Sequence, residues 1–398
     1  MQAKSVAIVG AGPAGLMAAE VLSQSGYAVE VFEQMPSAAR KFLMAGKTGL
    51  NISHAEALPE FIQRYDHADW LKPWLEQWDA TWIRQWMGDL GIESYVGTSG
   101  RIFPVEMKAA PLLRAWLKRL TESGVVFHYR HRCVDIQPEQ VLCFQHTQMP
   151  DAPIIQQKFS AIILACGAVS WSRLGSDGAW QAWLKPEEIQ TFQASNAGVE
   201  RTWSSYMQPV FGQPLKRVKA WVDQAEQASM GDIVITQYGL ESGLIYKLNR
   251  ALRQQSSMQL YLDVLPELTQ AELTHKLQPH KKQSMANIWR KAGLDAAKAN
   301  LVRELVPKTL WQQPEALAAQ IKQLPIALTG FRPIEEAISC AGGVKQDVLS
   351  DALQLKQHAG IFCCGEMLDW DAPTGGYLLT ACFATGRAAA QGVAQFLS

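Results

Sequence analysis

The sequence carries no net charge: 37 Lys and Arg balance 37 Asp and Glu over 398 residues. A neutral chain exerts no long-range pull on polyanions, so neither nucleic acid nor an anionic membrane surface is an expected partner. Long apolar runs are missing as well, and none approaches the ~20 residues of a bilayer-spanning helix. No cleavable leader precedes the first strand pattern near Ser5, so the expected location is cytoplasmic. Cysteine is scarce and unpatterned: seven residues, an odd number, with no CxxC pair. That excludes a disulfide framework, fits a reducing compartment and offers no zinc-type spacing, so no metal is expected. The adjacent Cys363 and Cys364 lie in an apolar run and read as small buried strand residues rather than a redox pair. No internal repeat or low-complexity segment is evident. The remaining composition, 48% hydrophobic and 19% charged, is ordinary for a globular chain of about two or three domains.

What is present is organised around residues 5–34, SVAIVGAGPAGLMAAEVLSQSGYAVEVFEQ. Residues 6–9 form an apolar run suited to a buried parallel strand. Gly10-x-Gly12-x-x-Gly15 follows at once, then a helical pattern over 16–25, then a second apolar run over 28–32. Glu33 closes that run, eighteen residues after Gly15. Gly10 permits a tight turn, Gly12 lets backbone approach a pyrophosphate, and Gly15 allows close helix–strand packing. The pyrophosphate then rests on the positive end of the helix, and Glu33 accepts hydrogen bonds from the adenosine ribose. Its charge disfavours a 2′-phosphate. The pattern predicts a dinucleotide site without separating FAD from NAD.

Further along, residues 40–54 read as a loop of small residues after the second strand. Trp70, Trp74, Trp78, Trp82 and Trp86 recur every four residues, which predicts one core-facing helix with Asp69 as N-cap and Pro73 in its first turn. A helix is expected over 109–123, and strands over 125–129, 133–136, 141–145 and 159–168. His128, His131, His146 and Asp135 lie in or beside these strands and are explained by hairpin alternation. From about 191 the pattern changes to short alternating runs at 218–222, 233–238 and 258–264, suggesting a small antiparallel sheet or barrel. Helical patterns follow at 271–277, 284–291, 296–305 and 315–323, and no second glycine triplet appears. The chain then returns to the first pattern, with a strand at 361–364, a polar loop, Gly375-Gly376 and an alanine-rich helix over 377–396. A glycine pair opening a helix presents free amides and a positive dipole end. That arrangement stabilises the anionic pyrimidine end of a reduced isoalloxazine, and so favours FAD over NAD.

Four segments together resemble one family: the fingerprint of residues 10–33, GRIFPVEMKAA, ILACGAVSWSRLGSDG, and the C-terminal stretch holding GIFCCGEMLDWDAPTGGYLLTACFATGRAA. They are similar to the BaiN-like, or aminoacetone-oxidase-type, FAD-binding flavoproteins. The resemblance implies an α/β fold: a Rossmann-like FAD domain of glutathione-reductase type with an inserted α+β cap. The expected division is 1–190 and 336–398 for the FAD domain and 191–335 for the cap or substrate domain. It implies FAD contacts at Gly10, Gly12, Ala14, Gly15, Glu33 and Gln34. Further implied contacts are Lys41, Gly46, Asn51, Val134, Ala165 and Gly167, then Gly365, Glu366, Gly376, Tyr377 and Leu378. Two departures stand out. The family's GGGRCNVTN-like loop here reads GKTGLNIS, and Gln237 replaces the histidine of a cap motif resembling FTHxGLSGP.

The expected function is therefore an FAD-dependent oxidoreductase, with non-covalent FAD exchanging a hydride between flavin N5 and a small organic substrate. The ring is expected at the junction of the FAD and cap domains. With a single nucleotide fingerprint, electrons come from the substrate or from a transiently visiting NAD(P)H. Tyr238, Gln237, Arg101 and Lys108 are the candidates for proton transfer or substrate orientation. Three alternatives stand beside this reading: a tRNA-modifying flavoprotein, a non-catalytic flavin-binding protein, and an NAD-dependent dehydrogenase. Charge balance weighs against the first, and the helix at Gly375-Gly376 against the last.

Overall fold

The computed structural model describes residues 4–47, 49–222, 228–280 and 283–398. The chain divides into two compact units, one built from the stretch up to Gln193 together with Ser339–Ser398, the other from Ala194–Ile338.

The first unit is built on a five-stranded sheet of β1 (Ser5–Val9), β2 (Ala28–Glu33), β3 (Val126–Tyr129), β4 (Ala161–Leu164) and β5 (Ile361–Cys363). The spatial order is β5-β4-β1-β2-β3, and every pair is parallel. Val6, Ile8, Ile162 and Ile163 are wholly buried, as expected where helices cover both faces. Helix α1 (Pro13–Gln24) joins β1 to β2. It packs along the C-terminal helix Tyr377–Leu397, whose alanine and glycine side permits close approach.

The tryptophans do not form one helix. The stripe spans α3 (Ala68–Gln77) and α4 (Ala80–Asp89), broken at Trp78. The break has a local cause: Asp79 caps α4, its Oδ1 accepting from the Trp82 amide at 2.8 Å. Two smaller expectations also change. His67, not Asp69, occupies the N-cap of α3, and Pro73 stands in its interior. The stripe nevertheless faces the core, with Trp74, Trp78 and Trp86 all buried. Beneath it lies a group the sequence does not announce. Glu20 of α1, 3% exposed, accepts from Trp116 Nε1 at 2.7 Å, from Trp86 Nε1, and from Arg119 at 3.0 Å. A buried carboxylate with that many donors ties α4, through Trp86, and the helix Ala109–Glu122, through Trp116 and Arg119, to α1; removing one partner of such a charge costs about 3–5 kcal/mol.

Residues 40–45, expected in a loop, form the short helix α2 (Arg40–Ala45). Downstream, Ser53–His54 pairs antiparallel with Arg101–Pro104.

The second unit holds a seven-stranded sheet whose pairings are antiparallel, so of the two expectations for this region the sheet holds. It includes a helix absent from the expected pattern, Gly243–Gln254, capped by Ser242 Oγ at the amides of Leu244 and Ile245. Leu244, Ile245, Leu248 and Leu252 are its buried face, a period hidden by the glycine that opens it. No described helix is long and apolar enough to cross a membrane.

Candidate functional site

The floor of the site is the turn from β1 into α1. Gly10 adopts φ +107°, and its amide donates to the Phe32 carbonyl at 2.8 Å. A Cβ on Gly15 would lie 2.0 Å from the Gly10 carbonyl oxygen, so this glycine is required by packing. Gly12 is different. It is the N-cap of α1 in extended conformation, no side chain caps the helix, and a Cβ there would meet nothing within 4 Å. Gly12 and Ala14 line a cleft. The uncapped first turn opens onto it with unpaired amides and the positive dipole end, a fit for a pyrophosphate.

At one end of the cleft stands Glu33, 9% exposed. Its Oε2 accepts from the Ala11 amide at 3.0 Å and its Oε1 from the Met35 amide at 2.9 Å. Burial pushes its carboxyl above the ordinary range, with the two amides opposing the shift. Each oxygen keeps a lone pair for a ribose hydroxyl. Residues 169–178 pass over this end: Gln34 Nε2 donates to the Gly175 carbonyl at 2.7 Å, and Arg132 pairs with Asp177 at 3.0 Å.

At the other end, Lys41 Nζ donates to Glu366 Oε2 at 3.0 Å and to Ser170 Oγ at 2.9 Å. Gly365 and Cys382 are beside them, and Ala165 and Gly167 line the middle. Cys133, Cys166 and Cys364 also face the cleft, and all seven cysteines are free. Burial raises the thiols of Cys166 and Cys382 far above their usual range, which favours the neutral thiol. Arg40 is a cleft residue that the sequence reading passed over. Its Nε is buried without a partner, an orphaned cationic donor that suits an anionic ligand. Nothing local marks Arg40 in sequence, because it reaches the cleft through the turn of the short helix Arg40–Ala45.

Several expected contacts stand outside this cleft. Gly46 packs on Ala109, and Val134 sits at a bulge of the ladder formed by His131–Gln137 and Val141–His146. Asn51 Oδ1 is buried and unpartnered, two residues from Ser53. Gly376, at φ +94°, caps the C-terminal helix without side-chain help, and a Cβ on it would lie 2.4 Å from Ser53 Cα. Tyr377 follows, its carbonyl accepting from Tyr65 at 2.7 Å and its hydroxyl donating to Glu56. With Leu378 it forms the first turn of the same helix that brings Cys382 to the cleft. Five residues separate Tyr377 from Cys382, about 7.5 Å of helix.

The proton-transfer candidates are divided between the two units. Arg101 and Lys108 are exposed and line no part of the cleft. Tyr238 and Gln237 belong to the second unit. There the Tyr238 hydroxyl donates to Glu241, which also accepts from Tyr246 at 2.9 Å, and Arg332 lies 4.3 Å over the Tyr238 ring. Burial first and Glu241 second push the Tyr238 hydroxyl up to about 12. His128 pairs with Glu30 at 2.8 Å, and no cluster among the described residues is placed to hold a metal.

Residues 4–392 match the family profile described as the HI0933-like protein Rossmann domain. The 3-dehydro-bile acid delta(4,6)-reductase of Clostridium scindens is 23% identical over 420 residues, covering 98% of this chain and 99% of that protein. Among solved structures, the open conformation of a flavocytochrome c3 fumarate reductase superposes with TM-score 0.53 at 14% identity, over 99% of this chain and 78% of that one. The 3-ketosteroid-delta4-(5alpha)-dehydrogenase of Rhodococcus jostii RHA1, in complex with 4-androstene-3,17-dione, gives 0.50 at 14% identity, over 99% and 97%. At such identities the structural likeness speaks to the fold alone.

Proposed function

Because the chain belongs to the HI0933-like Rossmann-domain family, the BaiN-like FAD-dependent oxidoreductases, we propose that it holds FAD non-covalently in the cleft of its first unit and oxidises or reduces a small organic substrate. The observation that carries this is the cleft itself. Open amides at Gly12 and Ala14, an orphaned Arg40 donor and the Lys41 ammonium meet the diphosphate, while Glu33 accepts from the ribose. The uncapped helix end at Gly376 supplies positive potential for the pyrimidine edge of the ring. Bound FAD supplies hydride exchange at its N5 atom. Seven free cysteines suit a reducing cytoplasm, and a visiting NAD(P)H is our candidate electron donor.

For the substrate, the 3-dehydro-bile acid reductase directs the first screen to unsaturated polycyclic ketones. Tyr238 is the first candidate for handling the substrate proton, ahead of Gln237, Arg101 and Lys108. Its hydroxyl is paired with the Glu241 carboxylate, a contact along which a proton can be passed.

An absorbance spectrum of the freshly purified protein, before and after acid precipitation, tests the cofactor. Flavin bands that pass to the supernatant and are identified as FAD are expected. A colourless protein that FAD cannot reconstitute would overturn the reading in favour of NAD.

A further inference from the structure

The Lys41–Glu366 pair is held by a third residue that no motif singles out. Ser170 is wholly buried, and its Oγ receives the Lys41 ammonium at 2.9 Å. Behind it, the Cys340 sulfur accepts from the Val169 amide and from the Ser170 side chain, so the hydroxyl is engaged on both sides. An ammonium has three donors. Two are used, by Ser170 and by Glu366, and Lys41 lines the cleft beside the open first turn of α1. One N–H therefore remains for an acceptor in the cleft. Glu366 spends only one of its lone pairs on Lys41 and keeps the rest for a donor. The pair presents a cationic donor and an anionic acceptor side by side, matched to a phosphate oxygen and a neighbouring sugar-alcohol hydroxyl.

A lysine on a flexible four-carbon stem does not hold such a geometry by itself. With Glu366 as its only partner, the ammonium would turn two donors to the carboxylate and collapse onto it. We propose that Ser170 is a positioning residue for cofactor recognition: it pins the Lys41 ammonium so that the free donor faces the diphosphate of the bound dinucleotide and Glu366 stays open to a hydroxyl. This rests on the FAD reading of the same cleft.

The test is a double-mutant cycle on FAD affinity, titrating full-length apoprotein by flavin fluorescence at several salt concentrations. S170A should weaken FAD about 10-fold, the scale of one lost charge-assisted hydrogen bond, and flatten the salt dependence that Lys41 confers. S170C, close in volume but a poor acceptor, should do the same. In a K41M background S170A should add nothing, because the two residues act as one unit. An undiminished 10-fold loss in that background, or unchanged salt dependence in both Ser170 variants, would overturn the assignment while leaving the FAD reading intact. An unaltered protein that binds no FAD would overturn both.

Discussion

The helices that begin at Gly12 and Gly376 are both opened by glycine, and neither N-terminus is capped by a side chain. What differs is the space around the glycine. At Gly12 a Cβ would meet nothing within 4 Å; at Gly376 it would lie 2.4 Å from the backbone of Ser53, on a residue already at φ +94°. The first glycine is small for the sake of a ligand, the second for the sake of the fold. Two positions that look equivalent in sequence thus answer to different pressures, and substitution separates them.

G376A should be the most damaging change. A non-glycine residue in that conformation costs about 1–3 kcal/mol, and crowding against Ser53 adds a similar amount. We expect a loss of about 3 kcal/mol in urea unfolding of the apoprotein, accompanied by loss of FAD. G12V should reverse the pattern. Gly12 has ordinary extended dihedrals, so the apoprotein should stay within about 1 kcal/mol of the parent. FAD affinity should fall about 100-fold as the side chain fills the pyrophosphate position. A G376A protein as stable as the parent, or a G12V protein that purifies fully loaded, would break the contrast.

Glu33 sharpens the ligand side of the same comparison. Its pKa in the folded protein lies above the ordinary value of 4.5 because burial opposes the charge. The sign for stability follows from proton uptake: the folded state binds this proton more tightly. The stability from Glu33 is therefore fully present below its unfolded value and is lost as pH rises through the folded one. FAD should show the opposite trend, since only the carboxylate offers all its lone pairs to the ribose. Affinity should drop as pH falls through that raised value, and E33Q should bind about 10-fold more weakly at neutral pH with a flat profile. An E33Q protein that keeps the acid-side drop would assign the titration to another group.

These differences also explain how much was legible in the sequence. The floor at Gly10, Gly12 and Gly15, with Glu33, could be read because strand, turn, helix and acid are contiguous, so local chemistry fixes their geometry. Arg40 and Ser170 could not, since each acquires meaning only from residues brought in by the fold. Glu20 is the clearest case: nothing on its own helix predicts donors from Trp86, Trp116 and Arg119. The tryptophan stripe shows its buried face in the sequence but not its division into two helices, because a spacing of four continues undisturbed through the break that Asp79 imposes. The helix after Ser242 is hidden for the converse reason, as its opening Gly243 looks like a terminator. Periodicity reports which side is buried better than it reports where an element stops.

The smallest effect concerns what crowds Gly376. Ser53 Oγ and Thr380 Oγ1 are 2.9 Å apart, both residues are wholly buried, and Thr380 also donates to the Gly376 carbonyl at 3.0 Å. This pair ties the strand at Ser53 to the first turn of the C-terminal helix, the close approach that leaves no room for a Cβ. T380V keeps the side-chain shape but strands the Ser53 hydroxyl in a dry site, so the apoprotein should lose about 1–2 kcal/mol. S53A/T380V removes both polar groups and should recover to within about 0.5 kcal/mol of the parent, because no buried donor is left unsatisfied. If the double variant instead loses the sum of the single losses, the two hydroxyls do not act on each other. The crowding at Gly376 would then come from backbone packing alone.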